Sequence, residues 1–160
     1  MLILVYNNVG SAGKIEGFAE VALGLFQESL LVISRAYGAG AQTGIPLVSK
    51  RIFKSGGKLL ITGTLKEAIE LTRPDMIYVF EPEDRGSTEE FNPEEVAKAL
   101  LDEKNVMLVF GGESPGNPLK DQELAHKVVW IGSKENIGAQ ASLAIALYEI
   151  KKKLEESNSK

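Results

Sequence analysis

Short aliphatic runs alternate with helix-period segments along the whole chain. Residues 2–6, 30–33, 58–62, 76–80, 106–110 and 128–131 are nearly continuous in apolar side chains. That is the pattern of strands covered on both faces. Between them, Ile15, Phe18, Ala19, Ala22 and Phe26 follow the i, i+3, i+4, i+7 spacing of a buried helix face. Thr64-x-x-Glu67 is a capping box, and Asn92-Pro93 and Asn117-Pro118 each place a cap residue before a proline at the first helical position. The alternation predicts an α/β domain: one mostly parallel, six-stranded sheet with helices on both faces. It spans residues 1–155, and a polar tail, 156–160, follows.

The last helix, expected from about 137 to 154, carries two apolar stripes. Ala141, Ile145 and Tyr148 form one; Leu143, Leu147, Ile150 and Leu154 form the other. At about 100° per residue the stripes lie on roughly opposite sides, and a helix between sheet and solvent needs only one. The second requires another helix of the chain or a second subunit. We expect Leu143 and Leu147 near a homodimer interface.

Composition narrows the chemistry. The 160 residues are 44% hydrophobic and 25% charged, enough for one sizeable core. With no Cys, disulfides, thiolate catalysis and Cys-ligated metal sites are excluded, and one His excludes multi-histidine metal sites within one chain. No metal site is expected. The apolar opening, 1–6, lacks a basic start and is too short for a signal peptide, and no run approaches the roughly 18 residues of a membrane span. A cytoplasmic protein without a membrane partner is the expectation.

The net charge of −4 argues against a protein that coats nucleic acid by bulk charge. Its distribution is uneven. From 35 to 58 there are five bases (Arg35, Lys50, Arg51, Lys54, Lys58) and no acid, whereas 81–103 holds nine acids and two bases. The basic segment adjoins Gly38, Gly40 and Gly44 and could meet phosphates; a solvated helix face is the alternative. Glu81, Glu83 and Asp84 follow a strand and could hold Mg²⁺ through oxygen ligands, but the expectation is a solvated acidic loop, in which Arg85 is a candidate for an anionic ligand. His126 reads as the cation ending a helix, and Trp130 as core.

Three glycine-containing segments follow expected strands, at 7–14, 111–116 and 132–138. In open parallel sheets ligands bind at the carboxyl ends of strands. None of the three is a P-loop or a G-x-G-x-x-G fingerprint. Asn8-x-Gly10-x-x-x-Lys14, followed by Ala19, Ala22-Leu23-Gly24 and a strand, resembles the first motif of the SpoU branch of the SPOUT methyltransferases. That motif reads Asn-x-Gly-x-x-x-Arg before an Ala-rich helix. Leu108-Val-Phe-Gly-Gly-Glu113-x-x-Gly116 resembles the second, an aliphatic strand ending in Gly-x-Glu-x-x-Gly. Val128-Val-Trp-Ile131, a loop and Asn136-Ile-Gly-Ala-Gln-Ala-Ser-Leu-Ala-Ile-Ala-Leu-Tyr-Glu149 are similar to the third, in which a strand leads into Ser-Leu-Asn and an Ala-rich helix ending Tyr-Glu. The resemblance covers residues 2–149, and within it the chain resembles an archaeal SPOUT-like branch known only as a domain of unknown function.

The resemblance implies a C-terminal trefoil knot, a homodimer and an S-adenosylmethionine pocket on Phe110, Gly111, Gly112, Gly116, Ile131, Gly132, Ile137, Gly138 and Ala139. It implies methyl transfer to structured RNA (tRNA or rRNA), not DNA, with Asn8, Lys14 and Glu113 catalytic. Arg35, Lys50, Arg51, Lys54 and Arg85 are the RNA-binding candidates. Two departures stand out: Lys14 replaces the motif arginine, and Asn136-Ile137-Gly138 replaces Ser-Leu-Asn. Arginine and lysine are not interchangeable at such sites. A desolvated Lys14 could act as a base, and Gly112→Val is expected to block the cofactor while sparing the fold. The alternatives are a non-catalytic S-adenosylmethionine- or RNA-binding module, and an unrelated doubly wound nucleotide-binding domain with no knot.

Overall fold

The computed structural model of the chain describes residues 1–87, 89–113 and 116–159. Thr88, Ser114, Pro115 and Lys160 lie outside the described residues, so the second glycine motif and the polar tail are only partly covered. In chain order the elements are β1 (Leu2–Val9), α1 (Ala12–Leu25), β2 (Leu30–Ala36), α2 (Ile45–Ser55), β3 (Lys58–Thr62), α3 (Leu65–Thr72), β4 (Met76–Phe80), β5 (Glu89–Glu90), α4 (Pro93–Leu101), β6 (Val106–Gly111), α5 (Leu119–Gln122), β7 (Lys127–Trp130) and α6 (Ala139–Asn158).

All strands run parallel, in the order β3-β2-β1-β6-β4-β7-β5. The sheet thus has seven strands among the described residues, not six. The additional one, β5, pairs Glu89 with Val129 and Glu90 with Trp130 at the sheet edge. Two glutamates offer no apolar run for periodicity to register.

Helices cover both faces. On one, α1, α2, α4 and α6 pack on Leu4, Tyr6, Ile33 and Leu108. On the other, Leu65 and Ala68 of α3 meet Ile3, Val5, Val32 and Val109. Local signals set the starts: Ser11 accepts from the Lys14 amide, Thr64 from Glu67 and Asn92 from Glu94. Asn117 does not cap. Its side chain is buried, and α5 is a single turn that begins after Pro118. A π-turn at Gly40–Gly44 leads into α2 and packs on the loop after β1.

The final helix corrects the expected interface. Leu143, Leu147 and Ile150 are fully buried within the chain, because α6 lies between α1 and α4. The other stripe faces outward, with Ile145 and Tyr148 exposed. The helix also runs to Asn158, into the expected tail. Among the described residues no helix is long and apolar enough to cross a membrane.

Candidate active site

At the carboxyl ends of β4, β6 and β7 lies a cavity of about 330 Å³. The order of the sheet creates it: β4 sits between β6 and β7, so the loops following the outer two converge above the middle one. Its aromatic wall is Phe110 stacked on Phe80, with ring centroids 4.4 Å apart. Phe18 supports Phe110 edge-on, and Tyr6 stacks on Phe18. Trp130, expected as core, is only partly buried and lines the cavity together with Ile131 and Ile137. The uncapped amino end of α6, from Ala139 to Ser142, opens onto it.

Lys14 and Glu113 guard the mouth. The Lys14 ammonium donates to the Gly112 carbonyl at 3.2 Å and lies 3.6 Å from the Glu113 carboxylate. The other Glu113 oxygen accepts from the Gly10 amide at 3.1 Å, tying the loop after β1 to the loop after β6. Glu113 and burial together push the Tyr6 phenol up to about 12, burial being the larger cause, so it stays a neutral donor.

Glu81 is corrected from a solvated loop to a buried carboxylate. It is 5% exposed, lines the cavity and accepts from the Asn117 amide at 2.5 Å. Burial raises its pKa above the usual carboxylate range, and the Asn117 hydrogen bonds and Arg85 pull the other way. Gly116 has φ +104°, and a Cβ there would fall 2.6 Å from the Glu81 carboxylate.

Beneath the loops lies a polar cluster that sequence reasoning missed. Asn7 donates to Asn117 at 3.0 Å and to Asp121 at 2.9 Å, and accepts from Ser34 at 2.8 Å. Arg35 adds an ion pair to Asp121 at 2.8 Å. An Asn inside an otherwise apolar strand was the available signal, since a buried amide demands partners. Nothing near Asp121 in the sequence marks it.

Of the expected cofactor residues, Phe110, Gly111, Gly112, Gly116, Ile131, Ile137, Gly138 and Ala139 all line the cavity; Gly132, with φ +93°, does not. Lys14 and Glu113 line it, and Asn8, half-buried with φ +63°, lies outside the lining. Gly112 has a different reason for being glycine. A Cβ there would meet the Val9 Cβ at 2.6 Å and the Tyr6 ring at 2.9 Å, so its Val variant would strain β1 rather than spare the fold. The five RNA candidates do not converge. Lys50, Arg51 and Lys54 share α2, with Arg51 paired to Glu20 at 3.0 Å. Arg35 faces Asp121, and Arg85 follows β4, on the far side of β1 and β6 from β2. His126 ends no helix: it lies beyond α5, and its Nδ1 accepts from the Ile77 amide at 2.9 Å.

The model of the DUF2122 family, described as RecB-family nuclease, matches residues 38–149. A relative in Methanocaldococcus jannaschii, named "Putative type II restriction enzyme MjaORF1200P", is 31% identical over 96% of this chain and 98% of its own. The chain belongs to the DUF2122 family. The fold of this DUF2122 protein is shared with SpoU methyltransferases. The AviRb SpoU methyltransferase of Streptomyces viridochromogenes, solved with AdoMet, superposes with a TM-score of 0.70 at 15% identity, covering 100% of this chain and 61% of that one. A structure concerning 2-OH methylation of C/U34 on tRNA gives 0.67 at 18% identity, covering 98% and 97%.

Three carboxylates (Glu81, Glu113, Glu135) and one ammonium (Lys14) face a cavity with an aromatic wall. A cationic ligand with a flat ring is favoured there over a bare anion.

Proposed function

We propose that this DUF2122 protein binds S-adenosylmethionine in the cavity and methylates RNA as a homodimer. The observation that carries the reading is the cavity itself, at the carboxyl ends of β4, β6 and β7, with its carboxylate-rich, aromatic-walled lining. The Phe80–Phe110 stack would form one wall against the ring system, and the free amides at the start of α6 would take the carboxylate. Glu81 or Glu113 would face the cationic part. The bound cofactor supplies a reactive sulfonium methyl, leaving the protein mainly to position the acceptor.

Lys14, at the mouth, contacts the acceptor and orients it as a hydrogen-bond donor. Glu113 holds that ammonium and the Gly10 amide in place and is a positioning residue. Asn8 acts from the rim. The trefoil knot expected of the C-terminal segment belongs to the same reading. So does a dimer built on Ala141, Ile145 and Tyr148, the stripe that leads away from the cavity-lining Ile137.

The family description and the relative's name favour a second reading, phosphodiester cleavage. Metal-assisted cleavage draws on clustered oxygen ligands. Among the described residues no group of three or more His, Cys, Asp or Glu is placed to hold an ion, and the buried Glu81 and Asp121 are already engaged by Asn117, Asn7 and Arg35.

Calorimetric titration with S-adenosylmethionine, followed by transfer of labelled methyl to bulk RNA, tests the proposal. Binding with transfer supports it, and binding alone points to a non-catalytic module. No binding, together with Mg²⁺-dependent cutting of plasmid DNA, would replace it with the nuclease.

A further inference from the structure

The outward face of α2 carries an arrangement that the cavity does not use. Phe53 is 87% exposed, the highest value among the large apolar side chains described, and Leu47 is also exposed. At 3.6 residues per turn, Phe53, Lys50, Lys54 and Leu47 fall within an arc of about 120°, and Val48 and Ile52 on the opposite side are buried. Phe53 stands at one edge of this arc, and Lys50 and Lys54 follow on the same side of it, about 60° and about 100° around the helix. Both are exposed, and no ion pair engages either among the described residues. Arg51, paired with Glu20, lies at the rim of this face.

An exposed aromatic ring beside two lysines, in a stretch from 35 to 58 that holds no acid, matches one ligand chemistry closely. Single-stranded nucleic acid offers a π-face and a phosphate at every nucleotide, and its binding surfaces combine stacking platforms with positive charge. Paired bases are already stacked and cannot lie on the ring. The helix leads back to the same region as the cavity mouth: the π-turn before it packs on the loop after β1, where a Cβ on Gly40 would touch the Val9 carbonyl and one on Gly44 would touch Ala12. Lys14 stands on the first turn of α1, just beyond that loop.

We infer that α2 is a docking surface for an unpaired RNA segment, with Phe53 stacking on a base and Lys50 and Lys54 meeting the adjoining phosphates. Arg35 and Arg85 take no part in it. The inference rests on the RNA reading of the cavity and adds the form of RNA and the residues that hold it. An exposed loop or end of a folded RNA is the segment that fits.

The test is a fluorescence-anisotropy titration of the full-length protein with a labelled mixed-sequence RNA 12-mer and with a duplex of the same length. Circular dichroism checks that each variant is folded. Phe53→Ala should weaken binding to the single strand by roughly 5- to 150-fold, the range for a lost base–aromatic stack, without changing the salt slope. Phe53→Trp should restore it. Lys50→Ala with Lys54→Ala should reduce the slope of log affinity against log salt by about 1.4. If the wild type binds the single strand but Phe53→Ala binds equally well, the surface is elsewhere and the RNA reading survives. Stronger binding of the duplex likewise overturns the docking mode alone. If Phe53→Ala instead shifts the oligomeric state in light scattering, the face is an interface between copies and the inference fails. If the wild type binds no RNA at all, the inference and the RNA reading fail together.

Discussion

Lys14 and Glu113 face each other across the cavity mouth, ammonium to carboxylate at 3.6 Å, from the first turn of α1 and the loop after β6. The same ammonium donates to the Gly112 carbonyl. A group held as a donor can position or polarise an acceptor, whereas a base must present a lone pair. Replacing Lys14 by Arg preserves the donor and removes the base. Lys14→Arg should therefore keep most methyl transfer, and Lys14→Ala should lower turnover by roughly 10²–10³-fold, the usual worth of an oriented donor, with S-adenosylmethionine affinity little changed. An inactive Lys14→Arg protein that still binds the cofactor would return the lysine to the role of base. Turnover is measured at saturating cofactor.

Two glycines near the cavity should respond in opposite ways. Gly17 lies where α1 meets α6, and a Cβ there would overlap the Gln140 amide, the far end of a flexible side chain that lines the cavity. Gly17→Ala should leave melting temperature nearly unchanged, since the alanine favours helix and Gln140 can swing aside. Cofactor affinity should fall as it does so. Gly112→Ala meets Val9 and Tyr6 instead, which cannot swing, and should cost about 1–3 kcal/mol of stability. Thermal melts and calorimetry on both variants separate the two effects.

Glu81 supplies a pH prediction. Burial holds its pKa above the ordinary 4.5, so between that value and the raised one the folded state binds more protons than the unfolded. The stability this contributes is full below the ordinary value and is lost as pH rises through the raised value. Glu81→Gln mimics the protonated form at every pH. Relative to wild type, the variant should gain stability on going from about pH 4 to about pH 8 in urea melts. A difference that stays flat across the range would mean that the carboxylate is accommodated equally well in both states.

The two stripes of α6 separate folding from assembly. Leu147→Asp places a charge where Leu147 is fully buried among α1 and α4 and should unfold the chain. Ile145→Lys with Tyr148→Lys alters only exposed positions, so the chain should stay folded while a dimer built on them dissociates in light scattering. A variant that remains dimeric would move the interface off this helix.

The parallel sheet and five of its helix segments were legible in the amino-acid sequence, and the resemblance of its glycine motifs pointed to about half of the cavity lining. Six strands are long apolar runs, three helix starts carry side-chain caps, and glycines after β6 and β7 mark loops over strand ends. These are local signals, set by spacings of a few residues. The tertiary structure alone decided which loops meet. β4 lies between β6 and β7, and this order brings Glu81 to the loop after β6 and assembles the cavity. It also set which stripe of α6 is inside: both stripes are apolar, and only the position of α6 between α1 and α4 buries Leu147 and exposes Tyr148. Asn7, Ser34, Asn117 and Asp121 are ordinary polar residues in sequence. They become one buried cluster because parallel strands distant in sequence end side by side, where each polar group must find its partner in another.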